Sequence, residues 1–117
     1  MSSAAEVTKI IDWDLAIKIA NGQRNIAEDI LRMLIAELPG VRVEISSSYE
    51  KGDWAELKRC VHKLHGGTSY SGVPRLKSVS SQLDLLPPND FSSEKIQPLI
   101  ENLLAEIDSL LSAAEGL

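Results

Sequence analysis

Apolar residues recur at intervals of three and four along four separate stretches of this chain, and nowhere do they alternate strictly with polar ones. That spacing lays them on one face of an α-helix; a half-buried strand would need them at every second position. The stretches are Ile26, Ile30, Leu34, Leu38, Val41, Ile45 and Tyr49; Trp54, Leu57, Val61, Leu64 and Thr68; Leu76, Val79, Leu83 and Leu86; and Ile96, Leu99, Ile100, Leu103, Ile107, Leu110 and Leu111. Four amphipathic helices with short connections predict an all-α, antiparallel four-helix bundle. The last stretch comes close to heptad spacing and reads as core. The chain has 117 residues, enough for one domain with a real core.

Local signals punctuate the pattern. Residues 1–8 are expected to form a frayed terminus. Asp12 can cap a short additional N-terminal helix through Trp13, Leu15, Ala16 and Ile19, which Asn21-Gly22 ends. Asn25 with Glu28 three residues on resembles a capping box for the first long helix. Pro39 lies inside that helix, but the apolar phase barely shifts there, which predicts one kinked helix and not a break at Gly40. Lys51-Gly52 closes it, and Asp53 with Glu56 starts the next. Gly72 ends a turn, and Pro74 suits a helix start. Pro87-Pro88-Asn89-Asp90 is a loop, after which Ser92 or Ser93 caps the last helix, with Pro98 near its first turn.

Charge and cysteine usage narrow the function. A net charge of −5 argues against a nucleic-acid partner, because phosphate contacts need a basic face. The single Cys60 cannot form an internal disulfide and fits a reducing compartment. No apolar run approaches the ~20 residues of a membrane span, and a secretory leader is not evident. Metal-type cysteine pairs and phosphate-binding glycine loops are absent from the sequence.

Both histidines fall in Val61-His62-Lys63-Leu64-His65-Gly66-Gly67-Thr68-Ser69-Tyr70. They flank the buried stripe of their helix, where His62, His65, Gly66 and Ser69 share a neighbouring ridge. Each glycine in a helix interior costs roughly 1 kcal/mol relative to alanine, so the pair needs a reason. A side chain at 66 would lean back over that at 62, and a glycine there leaves the imidazole of His62 open. Close helix packing is the competing reason for the glycines.

His62-Lys63-Leu64-His65-Gly66-Gly67 resembles the phosphoacceptor signature of histidine-containing phosphotransfer (HPt) domains. The likeness continues through Tyr70-Ser71-Gly72-Val73-Pro74-Arg75-Leu76. In outline it covers almost the whole chain, which is similar to the C-terminal HPt modules of BarA/GacS-type hybrid sensor kinases. The resemblance implies an up-down-up-down bundle with an added N-terminal helix, in agreement with the periodicity. It implies that His62 is the phosphoacceptor in a phosphorelay, flanked by Lys63 and His65, either of which can steady phosphoryl oxygens as a cation. Many relatives carry lysine where this chain has His65. Gly66 and Gly67 would keep the face open. Many relatives place a glutamine on the following helix to hold the imidazole; the matching position here is Asp84, with Gln82 nearby. Lys58, Arg59, Ser69 and Arg75 would form a weakly basic rim for an acidic receiver cleft.

The same resemblance implies receiver-domain partners, in the parent kinase and in a response regulator, and Mg²⁺ on the receiver with no cofactor or metal on this domain. It favours the cytoplasmic tail of an inner-membrane sensor kinase over a free-standing protein. An isolated monomer without autonomous catalysis or direct membrane contact is expected. Two other readings compete. His62 and His65 have a spacing that suits metal ligation on a helix, yet two ligands fall short of the usual three or four. A helical adaptor without chemistry is the other.

Overall fold

Each apolar stretch forms a helix, although the helix of the third stretch stops at Asp84 and leaves Leu86 beyond its end. The computed structural model describes residues 9–91 and 93–117. The expectations of a frayed terminus at residues 1–8 and of a cap at Ser92 lie outside these. The elements are α1 (Trp13–Ile19), α2 (Arg24–Lys51), α3 (Trp54–Thr68), α4 (Pro74–Asp84), a 3-10 turn (Pro88–Asp90) and α5 (Ser93–Ala113), with no strand among the described residues.

α2 packs on α3, α3 on α4 and α4 on α5, and α5 closes the ring against α2. The result is an antiparallel four-helix bundle, with α1 laid against α2. Leu31, Leu38 and Ile45 of α2, Leu57 and Val61 of α3, Leu76 and Leu83 of α4, and Ile96, Ile100, Leu103, Ile107 and Leu110 of α5 are buried in one core. Burying each such side chain contributes about 1.5–3 kcal/mol. That burial, more than helix propensity, holds the bundle together.

Several boundary signals act as expected. The Asp12 carboxylate accepts from the Leu15 amide at 3.0 Å, and that of Asp53 from Glu56 at 3.2 Å. Gly52 caps α2 in the left-handed region at φ 68°. α2 runs unbroken through Pro39 for 28 residues. Two signals misled. α2 begins at Arg24 after Gln23, which makes no side-chain cap bond, so Asn25 lies inside the helix and is not its cap. Ser93 is the first residue of α5, and Pro98 falls in its second turn.

Gly72 does more than end a turn. Its carbonyl accepts from the Asp12 amide at 2.8 Å, tying the segment before α1 to the α3–α4 turn. Its φ is +67°, and a Cβ there would stand 2.6 Å from Ala16 Cβ and 2.8 Å from the Asp12 carbonyl oxygen. Overpacking costs about 1–3 kcal/mol. Gly72→Ala should therefore lower stability by about 2 kcal/mol, roughly 10 °C of melting temperature for a domain of this size. Thermal melts check this, and an unchanged midpoint would show that α1 is not docked on Gly72.

Candidate functional site

The ridge of α3 beside its buried stripe faces the end of α4. Val61 and Leu64 point into the core, which turns His62 to solvent and leaves His65 half-buried. The His62 side chain is 78% exposed, that of His65 23% and that of Asp84 12%. Asp84 is the last residue of α4, and its carboxylate reaches across to both imidazoles. Asp84 Oδ1 and Oδ2 lie 3.0 and 3.1 Å from His62 Nδ1. Oδ2 also lies 2.9 Å from His65 Nδ1.

An ionised carboxylate only accepts, so each Nδ1 facing it carries the hydrogen. The lone pair of each neutral ring then resides on Nε2. Burial pushes the Asp84 carboxyl up, but hydrogen bonds from His65 and then His62 outweigh it and hold the group below its ordinary value. Asp84 is thus anionic near neutral pH.

The end of α3 is braced by hydroxyls. Thr68 Oγ1 donates to the His65 carbonyl at 2.7 Å, Ser69 Oγ to the same carbonyl at 3.2 Å, and Ser71 Oγ to the Gly67 carbonyl at 2.8 Å. These bonds offset part of the cost of two glycines in the last turns. A Cβ built on Gly66 meets nothing within 4 Å, so close packing does not account for that glycine. Gly67 differs from expectation. A Cβ there would meet Leu34 Cδ1 at 3.7 Å, and Gly67 helps line an apolar groove with Ile19, Ile30, Met33, Leu34 and Tyr70. It faces α2 and not the space over His62.

The remaining candidates divide. Lys63 is exposed and makes no hydrogen bond or ion pair among the described residues, so its ammonium is available beside His62. Gln82 is exposed, and no hydrogen bond joins it to either histidine. The basic rim is largely matched within the domain. Arg59 pairs with Glu56 at 2.6 Å and approaches Glu44 at 3.8 Å, and Arg75 pairs with Glu106 of α5 at 2.8 Å. Lys58 Nζ stands 5.8 Å from the centre of the Phe91 ring.

His65 also departs from its expected place. Its Nδ1 is engaged by Asp84, so it acts on the carboxylate and not as a free cation beside His62. The sequence held a signal for this bond. Any acceptor opposite His62 comes within reach of a histidine one turn further along the same ridge. Among the described residues, the one group of three donors close enough to share an ion is Glu44, Glu56 and Cys60, and Arg59 already pairs with those carboxylates.

Comparison with known proteins bears on the family and the fold. The chain is 34% identical over 104 residues to the signal transduction histidine-protein kinase BarA of Escherichia coli (strain K12), covering 89% of this chain and 11% of that protein. It is 34% identical over 107 residues to the sensor protein GacS of Pseudomonas syringae pv. syringae, covering 92% and 11%. The chain thus spans about a tenth of the length of these curated relatives. The crystal structure of the HPT domain from a hybrid sensor histidine kinase of Shewanella superposes with a TM-score of 0.84 at 31% identity, covering 89% of each chain. The model of the family described as "Hpt domain" matches residues 29–116, which span α3, α4 and every residue of the His62–Asp84–His65 cluster, and the chain belongs to that family.

Proposed function

We infer that this domain is a phosphohistidine intermediate in a two-component phosphorelay. His62 accepts a phosphoryl group from a receiver-domain aspartate and passes it to the aspartate of a response-regulator receiver. The observation that carries this reading is an exposed imidazole whose Nδ1 is held by Asp84, leaving Nε2 free toward solvent.

The chemistry balances without further groups on this chain. The Nε2 lone pair of His62 forms the N–P bond as the O–P bond of the aspartyl phosphate breaks, and that electron pair returns to the aspartate oxygen. The ring gains positive charge as the bond forms. Asp84 stands on the Nδ1 side, where its charge offsets it. Return of the group to a second aspartate reverses each change. The free ammonium of Lys63 is placed to meet phosphoryl oxygens. A Mg²⁺ ion on the receiver would add charge stabilisation from the partner's side.

The partners in this reading are the receiver domains of a parent hybrid kinase and of a response regulator. Met33 and Tyr70 are large and exposed beside an apolar groove on the α2 side of α3, a face suited to contact with another protein. No helix of the described residues is long and apolar enough to cross a membrane. The domain would work in the cytoplasm as a monomer.

Incubating the domain with purified, phosphorylated receivers tests the reading. Phosphate should appear on the chain in a form stable to alkali and lost in acid. A domain that takes no phosphate from any receiver, or takes it in acid-stable form, would sink the proposal.

A further inference from the structure

The Asp84 carboxylate has two imidazoles on it, and only one of them faces solvent. His62 is largely exposed, and its Nδ1 is divided between both oxygens at 3.0 and 3.1 Å. His65 is half-buried and makes one direct bond, 2.9 Å, to Oδ2. Bonds away from solvent compete less with water and are held in one geometry. The firmer of the two attachments is therefore that of His65.

Asp84 needs such an attachment. It ends α4, at the negative pole of the helix dipole, where a carboxylate is disfavoured. The last turn of α4 holds no basic residue to offset this. Among the described residues, the titratable or charged groups in contact with Asp84 are His65 and His62, both from α3. Asp84 from α4, and His62 across it, are likewise the groups that face His65; α2 places no charged group in hydrogen-bonding or ion-pair contact with it.

We propose that His65 is a positioning residue for His62, acting through Asp84, and that its charge sets how fully the carboxylate serves His62. The proposal rests on the phosphorelay reading above. A neutral His65 donates through Nδ1–H and fixes Asp84 where its oxygens meet His62 Nδ1, which pins the tautomer and leaves the Nε2 lone pair aimed outward. A protonated His65 donates through the same atom but neutralises the carboxylate. Asp84 then offsets less of the positive charge that the His62 ring gains as the N–P bond forms. Wherever His65 gains a proton, transfer would therefore slow through Asp84.

Two substitutions separate the donor from the charge. His65→Leu keeps bulk and removes the donor. His65→Asn keeps a donor, since its Nδ2 stands where Nδ1 stood, and removes the titration. Initial rates of phosphotransfer from a phosphorylated receiver are measured between about pH 6 and about pH 8, and the ring nitrogens of His62 are followed by ¹⁵N NMR. Wild-type His62 should show the Nδ1–H tautomer. His65→Leu should mix the tautomers and slow transfer about three- to tenfold, the scale of one hydrogen bond. His65→Asn should match the wild type near the upper end of the range and lose less rate on acidification.

Wild-type rates and an unchanged His62 tautomer in His65→Leu would overturn the proposal. So would an Asn variant as slow as the Leu variant, or one whose pH profile matches the wild type. Failure of the phosphorelay reading shows separately, as a wild-type domain that takes no phosphate. The nitrogen spectra need no receiver and would still report whether His65 controls the Asp84–His62 bond.

Discussion

His62→Gln should fold as the wild type does and take up no phosphate. The side chain at 62 is 78% exposed and contributes nothing to the core, so its loss opens no cavity. Glutamine is a better helix former than histidine, which favours the variant by a few tenths of a kcal/mol. Its exposed bond to Asp84 contributes about 0.5–1.5 kcal/mol at most, so the melting temperature should move by only a few degrees. The chemical loss is total by comparison. The nitrogen of a carboxamide delocalises its lone pair into the carbonyl and offers none to phosphorus. Labelling from a phosphorylated receiver should therefore fall to background. His65→Gln is the control. It keeps His62 and moves the donor one atom outward, away from Asp84, so uptake should slow and not vanish. Full labelling of His62→Gln would show that the phosphoryl group resides elsewhere.

What the sequence disclosed about this fold was local, and what it concealed was not. Helical periods, the Asp12 and Asp53 caps and the glycine stops are written in residues a few positions apart, and the structure follows them. Asn25 shows the limit even there, since two polar residues three apart matched a capping pattern that the chain does not use. The harder features join residues far apart. Arg75 reads as a free surface charge until α5 brings Glu106 to within 2.8 Å of it. Gly72 reads as a turn residue until Ala16 and Asp12 fold back over it. His65 reads as a flanking cation because the motif places it near His62, whereas its partner comes from the end of another helix. The position of Asp84 opposite His62 was foreseeable from the resemblance alone. The shared ridge of His62 and His65 put a second bond within reach, but its geometry is set by the rotation of α3 against α4.

Gly66 separates function from packing most directly. Its place in a helix costs roughly 1 kcal/mol relative to alanine, and nothing within 4 Å of its would-be Cβ returns that energy as contact. Gly66→Ala should thus raise stability by about that amount, roughly 4 °C for a domain of this size. Gly66→Gln should also fold, with a smaller gain. The two variants should part company in transfer. Helical side chains lean toward the N-terminus, so a glutamine at 66 reaches over the turn that carries His62. It would stand in the path of a receiver aspartate approaching Nε2. Phosphoryl transfer depends on in-line placement, and a displacement of about 1 Å can cost 100-fold. Gly66→Gln should therefore lose about 100-fold in transfer rate at undiminished stability, while Gly66→Ala, with one short methyl, should lose much less. Melting curves and transfer rates for the pair decide the matter. Should Gly66→Gln transfer at the wild-type rate, the open space over His62 would not be what the receiver uses. Should both variants melt lower than the wild type, Gly66 would serve the packing of α3 after all.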